Sequence, residues 1–231
     1  MFAKALRHGL IPNLLDRGIS PRYNCRDATW WFIRAIGDYI SFTNDADILK
    51  EKVKMIFLSD DQKEHEQLVA QGVEKYMTVE EIIYEIFRRH AAGIDFREWN
   101  AGEQIDWNMK HEGFNVQLCL DEETGFIVGG NQYNCLTWMD KMGSSEKAGN
   151  KGTPGSPRYR ASGDSLLTKH YFVFFRDGAP IEMTALLKHD LTMIINLFDQ
   201  KKFSFDKVIT KSGKELTFKE WVDSDSCYSD L

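Results

Sequence analysis

Apolar residues recur at steps of three and four along much of the chain, and this spacing is typical of amphipathic helices. The first helix is predicted to bury one stripe of its surface, formed by Ala28, Trp31, Phe32, Ala35, Ile36, Tyr39 and Ile40. A second helix is predicted to begin near Asp45 and to carry Ile48, Leu49, Val53, Ile56 and Phe57. The pattern therefore indicates a mainly α-helical fold.

Two further helices are predicted. Thr78-Val79-Glu80-Glu81 has the form of a capping box, in which a threonine and a glutamate bond each other's backbone N–H groups. Gly93 stands where a C-terminal glycine would end this helix. A fourth helix is expected over about residues 184–200, with an inner face formed by Leu187, Leu191, Ile194, Ile195 and Phe198.

Between these helices lies a stretch with the two-residue period of a β-strand. Its apolar positions are Phe114, Val116, Leu118 and Leu120. Residues 121–125 (DEETG) are predicted to turn and residues 126–128 to return as the second strand of a hairpin. The Gly-, Ser- and Pro-rich residues 143–160 are expected to be an exposed loop, and residues 223–231 a frayed or truncated end.

Composition and charge exclude several classes of protein. A net charge of −6 argues against a nucleic-acid partner, which would require a basic patch. No run of about 18 apolar residues indicates a membrane span, and the N-terminus lacks the apolar segment of a signal peptide. The four cysteines have no C-x-x-C spacing, so we expect a reduced, cytoplasmic protein without a structural metal. Aromatic residues form 13% of the chain, which suits a sugar-binding cleft or an aromatic core equally.

The first candidate for chemistry is RYNCRDATWW, residues 22–31. At a helix N-terminus, Asp27 would be kept ionised by the helix dipole and could accept hydrogen bonds from sugar hydroxyls beside a stacking tryptophan. The alternative makes Asp27 an ordinary N-terminal carboxylate paired with Arg26, and Trp31 a core residue. Composition alone favours that alternative.

The second candidate is GGNQYNCLTWMDKMG, residues 129–143. Desolvation by Trp138 and Met139 would raise the pKa of Asp140, as a general acid working near neutrality requires. Lys141 would lower that pKa again. Taken alone, the segment favours a helix cap at Asp140.

The remaining motifs carry less information. The acidic turn Asp121-Glu122-Glu123 lacks the spacing of an EF-hand loop and is best interpreted as a solvated hairpin turn. No zinc-protease, G-x-S-x-G, P-loop or dinucleotide-binding pattern occurs. A hydrolase that works with carboxylates alone is the enzyme class that remains.

Long segments of the chain resemble the amylo-α-1,6-glucosidase domain of eukaryotic glycogen debranching enzymes. The matching stretches are RHGLIPNLL (7–15), RYNCRDATWW (22–31), FREWNAGEQIDWNMKHEGFN (96–115) and DEETGFIVGGNQYNCLTWMDKMG (121–143), with a looser match at PIEMTAL (180–186). They cover most of residues 6–200 in the expected order.

The resemblance implies an (α/α)6 toroid, the glucoamylase-like six-hairpin barrel, with the β-hairpin inserted. Residues 1–231 would form part of the glucosidase domain, with Met1 inside the barrel and Leu231 before its end. The family protein also has an upstream 4-α-glucanotransferase domain, which this chain lacks.

Residues 159–176 (YRASGDSLLTKHYFVFFR) interrupt the family pattern. Two interpretations stay open for this expected insertion: a lineage-specific surface loop, or an artefact of the gene model. The aromatic run 171–175 would make a poor exposed loop.

The resemblance also implies roles for individual residues. Asp140, in the T-W-M-D motif, would be the acid that protonates the glycosidic oxygen, and the general base would be a glutamate beyond Leu231. The residues implied to line the pocket for the terminal glucose are Tyr23, Asn24, Arg26, Asp27, Trp30, Asn131 and Trp138.

The implied reaction is inverting hydrolysis of the single α-1,6-linked glucose left on glycogen, or on phosphorylase limit dextrin, with no cofactor. We expect the isolated chain to be inactive because the base is missing. Two alternatives stay open: a glucan-binding fragment without turnover, and a glucoamylase-like exo-glucosidase.

Overall fold

The computed structural model describes residues 1–18, 20–23, 25–98, 114–129 and 181–224. Five α-helices lie in these ranges: α1 (Ala28–Thr43), α2 (Gln62–Ala70), α3 (Val79–Ala92), α4 (Ile181–Asp199) and α5 (Phe218–Ser224). Two 3-10 helices accompany them, Phe2–Ala5 and Asp47–Lys50.

Four small antiparallel sheets lie among these helices in the described ranges. Three are two-stranded: β1 (Leu14–Asp16) with β2 (Ser20–Arg22), β3 (Lys52–Lys54) with β4 (Tyr76–Thr78), and β8 (Lys207–Ile209) with β9 (Glu215–Thr217). The fourth has the order β5 (Ile94–Glu98), β6 (Phe114–Leu120), β7 (Ile127–Gly129). The predicted hairpin is therefore confirmed as β6–β7, and β5 extends it to a third strand.

The core is built around Phe87 of α3, whose ring packs against side chains of two other helices. The ring centroid lies 5.7 Å from that of Trp30 in α1, and 5.1 and 6.0 Å from those of Phe218 and Trp221 in α5. Trp221 also donates a hydrogen bond from Nε1 to the carbonyl of Gly125 at 2.8 Å. These contacts fix α1, α5 and the β6–β7 turn to the same helix.

The burial of α1 differs from the predicted stripe. Its buried face is formed by Thr29, Trp30, Ile33, Ile36, Gly37 and Ile40. The prediction was right for Ile36 and Ile40 and wrong for Trp31 and Tyr39, which are 53% and 41% exposed. Bulky residues lie all round this helix, so its periodicity alone does not decide which face meets the core.

The helix predicted near Asp45 is wrong. The chain forms a 3-10 helix at Asp47–Lys50 and then β3, which pairs with β4. Leu49 and Met55 are buried here. The apolar spacing of a short 3-10 helix followed by a strand imitated a longer α-helix. Helix α2, which buries none of its residues, was not predicted.

The other two helices are confirmed. Thr78 Oγ1 accepts the N–H of Glu81 at 3.1 Å and Glu81 Oε2 accepts the N–H of Thr78 at 2.7 Å, which completes the capping box of α3. Gly93 ends α3 with a backbone φ of +88°, which residues with a side chain rarely adopt. Helix α4 covers most of the range expected for the fourth helix, residues 184–200, and Leu187, Leu191 and Ile194 are buried in it.

Three predictions fall outside the described residues. They concern the loop 143–160, the insertion 159–176 and most of the C-terminal segment 223–231. Asp223 and Ser224 are described and belong to α5.

Candidate active site

The segment that enters α1 is buried although it carries charged side chains. Tyr23, Arg26, Asp27 and Trp30 are each at most 4% exposed. Burying charges is costly unless they are paired and hydrogen-bonded, and proteins accept such costs mainly at functional sites. The start of α1 is therefore the candidate site in the described part of the chain.

Asp27 occupies the N-cap position of α1 without capping it. Its carbonyl accepts the N–H groups of Trp30 and Trp31, both at 3.0 Å, while its carboxylate makes no capping hydrogen bond. The Asp27 backbone is helical (φ −62°, ψ −23°), whereas a capping side chain usually requires extended backbone. The geometry does not support an ordinary cap at this position.

The N-terminal segment holds the start of α1 in place. The N–H of Ile11 donates to Thr29 Oγ1 at 3.0 Å. Asn13 accepts the N–H of Cys25 on Oδ1 at 3.3 Å, and its own N–H donates to the carbonyl of Arg22 at 3.0 Å. Two segments that carry the resemblance, 7–15 and 22–31, are thus joined by hydrogen bonds.

Tyr23 is fixed through its hydroxyl, its backbone and its ring. Oη donates to the carbonyl of Ala5 at 2.6 Å, and the backbone N–H donates to Glu98 Oε2 at 3.2 Å. The ring meets Phe96 edge-on, with centroids 6.4 Å apart. Burial raises the pKa of the Tyr23 hydroxyl far above its usual value, and the nearby Glu98 raises it further, so the hydroxyl stays a neutral donor.

Glu98, at the end of β5, was not a predicted site residue. Its side chain is buried on the same strand face as Ile94 and Phe96, while Asp95 is exposed on the other face. A carboxylate at the inward position of a strand is a signal that sequence patterning could have detected. No strand was predicted for residues 94–98, so Glu98 was not recognised as an inward-facing carboxylate.

Phe96 links Tyr23 to a charged cluster next to the site. The His8 ring stacks on the Phe96 ring, with centroids 4.0 Å apart and an interplanar angle of 12°. The backbone N–H of His8 donates to Asp60 Oδ1 at 2.8 Å. Burial, together with the nearby charges of Arg7 and Arg89, lowers the pKa of His8 to about 4. His8 is therefore neutral near pH 7 and acts here as a flat packing surface.

Trp30 lies in the core beneath the segment. Its ring centroid is 4.6 Å from that of His90, which is held by a hydrogen bond between Nδ1 and the carbonyl of Ile86 at 2.8 Å. Burial lowers the pKa of His90 to about 4, so its ring is also neutral near pH 7. The neighbouring Trp31 is the tryptophan with an exposed ring.

The three-stranded sheet sets the direction in which β7 runs. Gly129 pairs with Leu118, which pairs with Ile94 at the start of β5. Since β5 and β7 are both antiparallel to β6, β7 runs toward the end of the sheet where Glu98 lies. A Cβ on Gly129 would come within 2.3 Å of the Gln117 carbonyl, so this close approach requires glycine.

Residues 1–231 match a family model described as amylo-alpha-1,6-glucosidase. The chain belongs to this family. It is also 48% identical over 222 residues to the glycogen debranching enzyme of Saccharomyces cerevisiae. That match covers 95% of this chain and 13% of the yeast protein, so the chain spans a small part of its relative's length. The predicted resemblance is confirmed.

Within this amylo-alpha-1,6-glucosidase chain, the structure brings together Tyr23, Arg26, Asp27 and Trp30 on one buried segment, and adds Glu98. The other predicted site residues, Asn24, Asn131, Trp138 and Asp140, lie outside the described residues. Their roles stay predictions.

Three further observations concern the described ranges alone. No group of three or more His, Cys, Asp or Glu side chains there could hold a metal ion. Cys119 carries a free thiol. None of the helices in these ranges combines the length and apolar character that crossing a membrane requires.

Proposed function

We propose that the longer protein containing this chain hydrolyses α-1,6-linked glucose at glycogen branch points, and that this chain supplies the part of the site that carries the acid. Membership of the amylo-alpha-1,6-glucosidase family supports the reaction. The yeast relative is named a glycogen debranching enzyme, which supports glycogen as the substrate. We also propose that the helices complete an (α/α)6 toroid with the rest of the protein.

The observation that carries the proposal is the buried polar segment at the start of α1. A pocket for one terminal glucose needs fixed polar groups that match the sugar hydroxyls. Buried groups of this kind reject a ligand that leaves them without hydrogen bonds. Arg26 and Asp27 are such groups, and three of the segments that carry the resemblance meet around them.

Each residue then has a distinct role. Arg26 and Asp27, with Asn24, Asn131 and Trp138, hold the terminal glucose, and Trp30 supports this segment from the core. Asp140 donates a proton to the leaving oxygen. A glutamate outside residues 1–231 activates water on the opposite face of the sugar, about 6.5–9.5 Å from the acid, and the anomeric centre inverts. This chemistry uses carboxylates and water and needs no cofactor.

The natural substrate we propose is glycogen shortened by phosphorylase, the limit dextrin, in the cytoplasm. The family's upstream 4-α-glucanotransferase domain would expose the single branch glucose that this site removes. The free thiol of Cys119 suits a reducing compartment.

The test uses the full-length protein and its Asp140→Asn variant. Wild type should release glucose from limit dextrin, and the variant should lose about a hundredfold or more of that rate while keeping its affinity for glucan. The variant should hydrolyse glucosyl fluoride at a rate much closer to that of wild type, because a good leaving group needs little protonation. Equal losses on both substrates would contradict the role of Asp140.

The same assay separates the alternatives. Glucan binding without glucose release by wild type would indicate a binding module. Faster hydrolysis of linear maltooligosaccharide than of a singly branched one would indicate a glucoamylase-like exo-glucosidase. Preference for the branched substrate supports the proposal.

A further inference from the structure

We infer that Tyr23 and Glu98 form a buried clamp that positions the proposed glucose-binding residues Arg26 and Asp27 without touching the sugar. The Tyr23–Glu98 clamp denotes residue Tyr23, the Glu98 side chain and the hydrogen bond that the Tyr23 backbone N–H donates to Glu98 Oε2. The inference rests on the proposed function and goes beyond it. It reassigns Tyr23 from substrate contact to support and adds Glu98, which no sequence motif indicated.

The polar groups of Tyr23 are already engaged within the protein. The hydroxyl donates to the carbonyl of Ala5 at 2.6 Å and the backbone N–H donates to Glu98 Oε2 at 3.2 Å, both in buried surroundings. The one hydrogen that the hydroxyl can donate is therefore committed to the protein main chain. Tyr23 is therefore built to hold the main chain.

Glu98 supplies a rigid anchor for that main chain. It ends β5, which pairs with β6 over five consecutive positions from Ile94–Leu118 to Glu98–Phe114. The Glu98 carboxylate thus ties the backbone at Tyr23 to a sheet, across 75 positions in the sequence.

The glucose-binding residues lie between two fixed points. Tyr23 is the first, and the second is Thr29, whose Oγ1 accepts the N–H of Ile11 at 3.0 Å in the first turn of α1. Residues 24–27 span the interval, and Asp27 is buried without capping the helix. A displacement of about 1 Å at a positioning residue can lower a rate about a hundredfold. Loosening the clamp should therefore reduce catalysis without altering the acid or the base.

The experiment compares Glu98→Gln, Glu98→Ala and Tyr23→Phe in the full-length protein. Two matched controls change exposed residues: Asp95→Ala lies on the other face of the same strand, and Tyr76→Phe removes an exposed hydroxyl that bonds Glu74. For each variant, kcat and KM are measured on a singly branched dextrin and on glucosyl fluoride, with the pH profile of kcat/KM and the unfolding temperature.

Glu98→Ala should lower kcat/KM by about ten- to a hundredfold, by the same factor on both substrates and with an unchanged pH profile. Glu98→Gln should retain most of the activity, because the amide oxygen can still accept the Tyr23 N–H. Tyr23→Phe should lower kcat/KM by about three- to tenfold on both substrates, which corresponds to the loss of about one hydrogen bond. Both controls should match wild type.

Three results would overturn the clamp. A loss in Glu98→Gln equal to that in Glu98→Ala, or a shifted limb of its pH profile, would mean that the Glu98 charge acts directly on substrate. Wild-type activity in both Glu98→Ala and Tyr23→Phe would mean that nothing is positioned. If the losses disappear once activity is divided by the concentration of folded protein, Tyr23 and Glu98 have a purely structural role. If Glu98→Ala does not fold, the other two variants decide. Absent hydrolysis by wild type would instead refute the proposed function.

Discussion

Asp27 is buried at the N-terminus of α1. We expect Asp27→Asn in the full-length protein to lower hydrolysis of branched dextrin and of glucosyl fluoride by the same factor, about a hundredfold, because positioning is needed whatever the leaving group. Asp38→Asn, farther along the same helix and half exposed, is the control. Rescue of the Asp27 variant by the fluoride would show that Asp27, and not Asp140, transfers the proton.

Asp190 is a second buried carboxyl, on α4, and lies outside the proposed mechanism. Neither of its oxygens has a hydrogen-bond partner, and burial raises its pKa to about 8. This value includes two smaller and opposing effects, from Arg34, which lowers the pKa, and from Asp38, which raises it. Asp190 is therefore mostly protonated at neutral pH in the folded protein, whereas the unfolded chain releases its proton near pH 4.

The raised pKa makes stability fall as pH rises. The contribution of Asp190 is fully present below about pH 4 and is lost progressively up to about pH 8, with a slope of at most about 1.4 kcal/mol per pH unit. Asp190→Asn, which cannot ionise, should flatten the pH dependence of thermal unfolding between pH 5 and 8. Asp199→Asn, an exposed position of the same helix, should leave it unchanged. Identical slopes for wild type and Asp190→Asn would contradict the prediction.

At the scale of elements, α2 and α3 begin with side-chain caps but have very different burial. Asp61 caps α2 by accepting the N–H of Glu64 at 2.8 Å, yet α2 buries none of its residues. The capping box at Thr78 starts α3, whose Ile82, Ile83, Ile86 and Phe87 are all completely buried. The same kind of cap therefore supports a surface helix in one case and the central helix in the other.

Removing each cap should have different consequences. Thr78→Ala should lower the free energy of unfolding by about 1 kcal/mol, because α3 unfolds only with the core. Asp61→Ala should change global stability much less and should instead speed amide hydrogen exchange within α2. Hydrogen exchange with denaturant unfolding measures both effects. Equal global losses would show that α2 is as tightly coupled to the core as α3.

At the scale of the whole molecule, one face of α1 stays exposed although it is rich in large apolar residues. Trp31, Tyr39 and Phe42 are 53%, 41% and 89% exposed. Apolar surface of this kind drives association in water. We expect the 231-residue chain, purified alone, to self-associate through this face and to show no glucosidase activity.

Phe42→Glu should reduce the self-association measured by light scattering, because it places a charge on the most exposed of the three residues. Val69→Glu, which adds the same charge to an exposed apolar position of α2, is the matched control and should have little effect. Equal effects of the two variants would mean that net charge, and not the α1 face, controls association. Glucose release from limit dextrin by the chain alone would contradict its expected inactivity.

The sequence by itself determined the features whose causes are local. The capping box, the glycine that ends α3, the long α4 and the alternating strand of the hairpin each depend on residues within one or two turns of each other. Backbone hydrogen bonding and side-chain periodicity are decided at that range, so these predictions are confirmed. The family resemblance is confirmed as well, because it depends on the order of residues and not on their packing.

Only the tertiary structure decided which face of α1 is buried, how residues 45–57 fold and where Glu98 lies. Trp30 and Trp31 are adjacent and chemically alike, yet packing against Phe87 and His90 buries one and leaves the other exposed. Glu98 meets Tyr23 because β5 pairs with β6, a contact between distant parts of the chain. Local periodicity contains no information about such partners, and the burial free energy that selects among them arises only when the elements pack together.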